Sequence, residues 1–429
     1  MPQSPGALRA TPARVAIIGQ GYVGLPVAMR AVEAGFDVIG LDIDKHRVSE
    51  LTAGRSFVGD VPDEELRRAL ASGRYSPADS YEAVRGFDVA VITVPTPLRE
   101  SVPDLSYIED AAEQLSAFVR AGCTVILEST TYPGTTEELV LPILERGSGL
   151  RAGTDFHVGY SPERIDLGNS THRFGNTPKV VSGLGAEGLE KVASFYATLV
   201  ERVVPVSSPK VAELTKLLEN TFRHVNIALM NELAIFANQL DIDIWEAIDA
   251  ASTKPFGYLR FTPGPGVGGH CLPVDPSYLS WQVRRQLGQS FRFIELANDI
   301  NDHMPLYVVQ RATRMLNARS LAVRGSTLLL VGLSYKPNTG DIREAPALKV
   351  ISLLQDLGAD LVGVDPHVEP YRWPEHVTPA ELTAEVVERA DLAIILTPHA
   401  AIDLSMLGTA AIPVLDTQRS LQGPYVETL

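Results

Sequence analysis

The sequence predicts an α/β protein: two Rossmann-like, doubly wound domains joined by a long central helix and a helical domain. Three observations predict it. Short apolar runs alternate with helical patterns from residue 14 to residue 207 and again beyond residue 326, the pattern of parallel sheets covered on both faces. A single long amphipathic pattern starts at Ser208 between them. Two strand segments also recur in order: "GFDVIGLD" (35–42) matches "GADLVGVD" (358–365), and "DVAVITVP" (88–95) matches "DLAIILTP" (391–398). The second sheet is therefore expected to repeat the first.

The elements follow in order. "MPQSPGALRATP" lacks the apolar centre of a signal peptide and reads as a loose tail. The boundaries fall at 1–13 for a disordered tail, 14–207 for a dinucleotide domain, 208–317 for a central helical domain and 318–429 for a C-terminal domain. "RVAIIG" (14–19) and "FDVIGLD" (36–42) enclose a helical pattern, a βαβ unit. Strands are expected at 88–95, 124–130, 156–161, 179–184 and 202–207. Ser208 then offers an N-cap and Pro209 a first helical residue. Val211, Leu214, Leu218, Phe222, Val225, Leu229, Leu233 and Phe236 recur at steps of three or four. A helix of about thirty residues exceeds the usual globular length and bridges domains or forms a dimer seam. Strands at 327–333, 360–365, 391–398 and 412–417 complete the chain.

Composition narrows the function. Lys and Arg number 37 against 52 Asp and Glu, a net charge of −15. Such a chain lacks the basic face that nucleic acid requires, and binds anions only in local pockets. Two cysteines, Cys123 and Cys271, in 429 residues indicate a reducing compartment rather than a disulfide framework. No apolar run reaches the roughly 18 residues of a membrane span. The expectation is a cytoplasmic protein with no membrane or nucleic-acid partner and no metal.

"GQGYVG" places Gly19, Gly21 and Gly24 directly after a strand and at the start of a helix. Gly19 permits the tight turn, Gly21 the approach of a pyrophosphate, and Gly24 close helix packing. Asp42 ends the next strand about 20 positions on, where a carboxylate accepts from a ribose diol and repels a 2′-phosphate. NAD is therefore the expected cofactor. "VPTP" (94–97) and "EST" (128–130) end strands at the same crevice. After "LLLVG" no such fingerprint follows; "LSYKPNTGDIRE", with Lys336 and Arg343, suits another phosphate ligand or is a solvated loop. "SPERID" puts Glu163 at a strand end, as a catalytic carboxylate or a surface acid. Lys216 and Asn220 share one face of the long helix. Cys271 follows Gly268 and Gly269 at a helix start, with Asp275 one turn on. Unpaired N–H groups there favour a thiolate, although plain packing is the alternative. A nucleophilic cysteine beside NAD implies carbonyl chemistry.

"AIIGQGYVGLP", "SPER", "ELTKLLENTFRHVNIALMNELA", "GPGVGGHCLPVDPSYLSW" and "YKPNTGDIRE" together resemble the UDP-glucose/UDP-N-acetylhexosamine 6-dehydrogenase family over nearly the whole chain. The resemblance implies that NAD oxidises a sugar C6 alcohol twice, through an aldehyde and a thioester, to a uronic acid in polysaccharide or glycoside biosynthesis. It implies a homodimer or larger homo-oligomer. It makes Cys271 the nucleophile, Lys216 the oxyanion stabiliser and Asn220 an orienting group. Asp275 and Thr130 would position water, and Glu163 would be the base for hydrolysis. Cofactor contacts are implied at Tyr22, Val23, Arg47, Pro95, Thr96, Thr130 and Arg343. Substrate contacts are implied at Arg164, Arg260, Gly266, Gly268, Gly269 and Lys336. Val274 stands where the UDP-glucose branch usually has lysine, and Leu167 where it has a second glutamate. Both look closer to the N-acetylhexosamine branch, with UDP-glucose or dTDP-glucose as the alternative substrate. The rival readings are a two-electron dehydrogenase or epimerase and a non-catalytic NAD-binding scaffold.

Overall fold

A computed structural model describes residues 13–99, 102–165, 171–269 and 271–429, excepting the side chains of Cys271 and Pro273. Residues 1–12 of the expected tail, Leu167 and the Cys271 sulfur lie outside the described residues. The chain forms two compact units, divided between Glu219 and Asn220.

The first unit begins with β1 (Arg14–Ile18), α1 (Gly24–Glu33), β2 (Asp37–Leu41), α2 (Lys45–Thr52), α3 (Asp63–Ala71), β3 (Tyr75–Ala78) and β4 (Val89–Ile92). A small hairpin, β5 (Leu98–Arg99) and β6 (Val102–Pro103), precedes α4 (Ser106–Ser116), β7 (Thr124–Leu127) and α5 (Leu141–Ser148). There follow β8 (His157–Tyr160), β9 (Lys179–Gly183), α6 (Gly185–Tyr196) and β10 (Val203–Pro205). The eight strands outside the hairpin form one sheet in the order β10-β9-β8-β7-β4-β1-β2-β3. Ile17, Val91 and Ile126 from its central strands pack with Leu25, Val27 and Val192 from the helices on its faces. Each such side chain contributes about 1.5–3 kcal/mol on burial, which explains the unbroken apolar runs.

One pairing departs from the expected parallel sheet: β8 and β9 run antiparallel. No crossover helix is found among the described residues of the 161–178 connection. A parallel neighbour needs such a crossover, so the chain returns in the opposite sense.

The long helix α7 (Pro209–Gln239) runs 31 residues, and the Ser208 hydroxyl accepts from the Val211 N–H at its start. Ala212, Leu217, Ala228 and Ala234 line its buried face. The apolar stripe read from the sequence lies on the other side. Val211, Leu214, Leu218, Phe222, Leu229, Leu233 and Phe236 are all exposed, Leu218 by 62%; only Val225 is half-buried.

The second unit holds the rest of α7, α8 (Ile244–Ser252), α9 (Cys271–Leu287) and α10 (Arg292–Asn317). Then come β11 (Thr327–Val331), α11 (Pro346–Asp356), β12 (Asp360–Val364), β13 (Val377–Pro379), α12 (Ala384–Glu388), β14 (Leu392–Ile395), α13 (Ser405–Thr409), β15 (Val414–Asp416) and β16 (Val426–Thr428). Its six-stranded sheet has the order β13-β12-β11-β14-β15-β16. The internal repeat is real in space. β1 is flanked by β2 and β4, and β11 by their counterparts β12 and β14. Gly19 and Gly332 both adopt positive φ after the first strand, and each N–H donates across to the end of the second, to Leu41 and Val364.

Candidate active site

The carboxyl edge of the first sheet is built by three glycines. A Cβ on Gly24 would lie 1.8 Å from the Gly19 carbonyl oxygen, so α1 closes onto the turn only with glycine there. Gly19 has φ +94° and abuts the Thr93 carbonyl. A Cβ on Gly21 would meet nothing within 4 Å. The cradle is therefore open at the one glycine assigned to a ligand, above the N-terminus of α1, where N–H groups favour phosphate. Tyr22 and Val23 complete the turn into α1, and Val23 is its N-cap residue. Asp42, buried at the end of β2, accepts from the Gln20 N–H at 2.9 Å and the Asp44 N–H at 3.0 Å. Arg47 approaches it to 3.7 Å. Beyond β4, Pro95 is exposed and Thr96 buried; beyond β7, Thr130 is half-buried. These residues fit NAD at this edge.

The segment after β8 answers the question left open at Glu163. That side chain is 8% exposed and is not a surface acid. Its carboxylate accepts from the Ile165 N–H, and its other oxygen, Oε2, is buried without a hydrogen-bond partner among the described residues. Lys216, 7% exposed, donates to the Glu163 carbonyl at 2.6 Å. The long helix thus grips the backbone of the loop that carries the acid. Arg164 gives its guanidinium to Glu219 and the Pro178 carbonyl.

In the second unit, Asn220 donates to the buried Asp275 carboxylate, joining α7 to the first turn of α9. Cys271 opens that helix. A cavity of about 430 Å³ lies wholly within this unit. Arg223, Arg260 and Lys336 line it together with Gly266, Gly268, Phe261 and Gln418, and among the described residues no carboxylate does. Gly268 and Gly269 have a reason beyond ligand room: a Cβ on either would lie under 3 Å from Tyr335, and on Gly268 also 2.7 Å from the Glu344 carbonyl. Gly269 is not among the lining residues. Asp249 accepts from Arg260 and Arg419, and these bonds hold its carboxyl below the ordinary range. Arg343 is clasped by Asp341 through its Nε and Nη2 groups.

Several residues that shape the site carried no signal in sequence. Gln20 is locked between the Tyr75 hydroxyl and the Ile17 carbonyl. Buried Glu213 accepts from the Gly134 and Thr136 N–H groups, and burial raises its pKa. Asn231 accepts from the Gly264 N–H and donates to Asn301, pinning the glycine segment to α7 and α10. His224, bonded to Asn298, is held below its ordinary pKa by burial. Asp365, the counterpart of Asp42, accepts from the Leu333, Ser334, His367 and Val368 N–H groups and pairs with His399.

Comparison with known proteins agrees with this arrangement. Residues 13–200 match the NAD binding domain of the UDP-glucose/GDP-mannose dehydrogenase family, 210–303 its central domain and 329–422 its UDP binding domain. The chain is 40% identical over 356 residues to UDP-N-acetyl-D-glucosamine 6-dehydrogenase of Pseudomonas aeruginosa, covering 82% of each. The structure of UDP-D-ManNAc dehydrogenase from Pyrococcus horikoshii superposes with a TM-score of 0.87 at 32% identity, over 97% of this chain and 98% of that one. A UDP-glucose dehydrogenase from Pyrobaculum islandicum gives 0.86 at 28% identity, over 99% and 98%. Among the described residues no helix is long and apolar enough to cross a membrane. The chain belongs to the UDP-glucose/GDP-mannose dehydrogenase family and is an NAD-dependent nucleotide-sugar dehydrogenase.

Proposed function

We propose that this enzyme oxidises the C6 alcohol of a UDP-N-acetylhexosamine to the uronic acid in a four-electron reaction. The observation that carries the nucleotide reading is the cavity lined by Arg223, Arg260 and Lys336 with no carboxylate among the described residues. In a chain of net charge −15, such a pocket selects a diphosphate. The N-acetylhexosamine is supported by Val274 and Leu167 and by the names of the Pseudomonas and Pyrococcus relatives. Likeness of fold does not choose the sugar, since the UDP-glucose dehydrogenase superposes as well.

NAD at the edge of the first sheet supplies the hydride acceptor. The chain supplies the rest. The Lys216 ammonium stabilises the oxyanions at C6, first the alkoxide and later the tetrahedral adduct. Cys271 attacks the aldehyde as thiolate, and the hemithioacetal becomes a thioester when its hydride leaves. Asn220 and Asp275 act as a bonded pair, the amide toward the sugar oxygen and the carboxylate toward a water, with Thr130 assisting. Glu163 takes the proton of the hydrolytic water, the C–S bond breaks and sulfur departs as thiolate. One alcohol and one water become one carboxylate as two hydrides and three protons leave. The three working segments are 14–207 for cofactor, 208–317 for the cysteine and assembly, and 318–429 for the nucleotide. The exposed row on α7 fits a second copy of the chain, giving a homodimer or a larger homo-oligomer in the cytoplasm.

The test is a panel of UDP-GlcNAc, UDP-ManNAc, UDP-glucose and dTDP-glucose, with NADH counted and products identified. Two NADH per UDP-N-acetylhexosamine are expected, with no acid from Cys271→Ala. One NADH per sugar, or normal acid formation without the cysteine, refutes the reading.

A further inference from the structure

Lys179 has no part in the chemistry above, yet it is a buried and tightly held cation of the first unit. It opens β9 and is buried. Its ammonium donates to Glu128, at the end of β7, and to the Pro162 carbonyl at 3.0 Å. Glu128 is itself wholly buried and takes the Tyr196 hydroxyl on its other oxygen. The rings of Phe174 and Tyr196 face the ammonium at 5.3 and 5.1 Å. A buried pair of this kind is seldom a gain in stability over apolar residues of the same volume, so stability gives little reason for it.

The position of its second hydrogen-bond partner, Pro162, gives a better one. Pro162 immediately precedes Glu163, and the Glu163 carbonyl is held by Lys216. Two buried lysines from different elements therefore grip two consecutive carbonyls, one on either side of the Glu163 α-carbon. Backbone fixed at both carbonyls leaves the acid only its side-chain torsions, and Oε2 stays buried without a hydrogen-bond partner among the described residues. We propose that Lys179, held by Glu128 and Tyr196, is a positioning residue for Glu163, setting the place from which that carboxylate takes the water proton in thioester hydrolysis. The inference rests on Glu163 as the hydrolytic base. In that step water adds to the acyl carbon, Glu163 receives one proton, the C–S bond breaks with its electrons going to sulfur, and no oxidant is consumed. A backbone displaced by about 1 Å moves the carboxylate out of reach of the water, a loss of order a hundredfold.

Three full-length variants test it: Lys179→Met, Lys179→Arg and, as reference, Glu163→Gln. Each is followed by stopped-flow NADH release, by rapid-quench intact mass for the acyl adduct on Cys271, and by the pH profile of hydrolysis. Lys179→Met is expected to keep KM and the first NADH near parental values, slow hydrolysis about a hundredfold and accumulate the adduct as Glu163→Gln does. Lys179→Arg, which keeps charge and donors, should recover hydrolysis to within about tenfold. A folded Lys179→Met with parental hydrolysis overturns the inference alone. So does equal loss of every step in both Lys179 variants, which marks a merely structural role. If Lys179→Met does not fold, Glu128→Gln replaces it, and parental hydrolysis there is equally fatal. No adduct in Glu163→Gln overturns the reading of Glu163 itself, and the inference with it.

Discussion

Gly21→Ala separates ligand from fold in a way that few substitutions do. The added methyl would meet no atom of the chain within 4 Å, and Gly21 is not in the left-handed region. Replacing such a glycine narrows the unfolded ensemble and stabilises by about 0.4–1 kcal/mol. The same methyl projects into the space assigned to the pyrophosphate, so the cofactor must withdraw from the N–H groups of the turn. Loss of one charged hydrogen bond is worth about 1.5–3 kcal/mol, or roughly ten- to a hundredfold in affinity. The two measurements should therefore move in opposite directions: melting temperature unchanged or slightly raised, NAD dissociation constant raised at least tenfold. Gly24→Ala is the control. Its Cβ would lie 1.8 Å from a backbone carbonyl oxygen, so both affinity and melting temperature should fall. Calorimetric titration with NAD alongside thermal melts reads both. A Gly21→Ala protein binding NAD as tightly as the parent would show that the phosphates do not lie over this turn.

Three further outcomes are expected. Arg260→Ala and Lys336→Ala should each weaken UDP binding about tenfold or more, with a shallower dependence on salt than the parent; unchanged affinity in both would remove the diphosphate from this cavity. Leu218→Asp places a charge on the exposed row of α7 and should yield a monomer by light scattering at micromolar concentration, whereas an unaltered oligomer mass refutes that seam. Asp365 carries a pH prediction. Burial raises its carboxyl, but the bonds from His399 and the backbone N–H groups of Leu333 and His367 outweigh it and hold the folded value low. Its stabilisation is then complete above the unfolded value of about 3.9 and is lost as pH falls through the lower folded value. Asp365→Asn should be less stable at pH 7 and lose less between pH 4 and that lower value. Equal slopes in denaturant titrations would sink the argument.

The sequence carried what is periodic or local. β1, β2, β4, β7 and β11 are continuous apolar runs because both sheet faces are covered, and the α7 stripe was visible because its apolar residues stand in a row that is exposed among the described residues. The edge strands β3, β13 and β16 escaped: "YSPA", "VTP" and "VET" are short and half polar, and two of them contain proline, so no period marks them. The reversal at β8 and β9 escaped because an apolar strand looks alike in either direction. Glu163 and Lys216 could be named as candidates, but their burial could not, since the Lys216–Glu163 bond spans 53 positions. Glu128 and Lys179 stood in expected strand segments, but nothing local joined them to each other or to Tyr196; the link appears only when the sheet sets β7 and β9 on either side of β8, beside α6.

The two homologous aspartates differ in what they have left to offer. A carboxylate has about four lone-pair sites. Asp365 takes five donors, four backbone N–H groups and His399, so it is saturated and has nothing to give a ribose diol. Asp42 takes two backbone N–H groups and a longer approach from Arg47, leaving acceptor capacity for a ligand. Only the first sheet is therefore equipped as a dinucleotide reader. In the proposed four-electron reaction the enzyme would then vacate and refill a single cofactor berth midway, while the half-oxidised sugar stays bound. Its kinetics should carry the mark of that interval: the second NAD must arrive at an enzyme already loaded, so NAD concentration governs how long the intermediate waits.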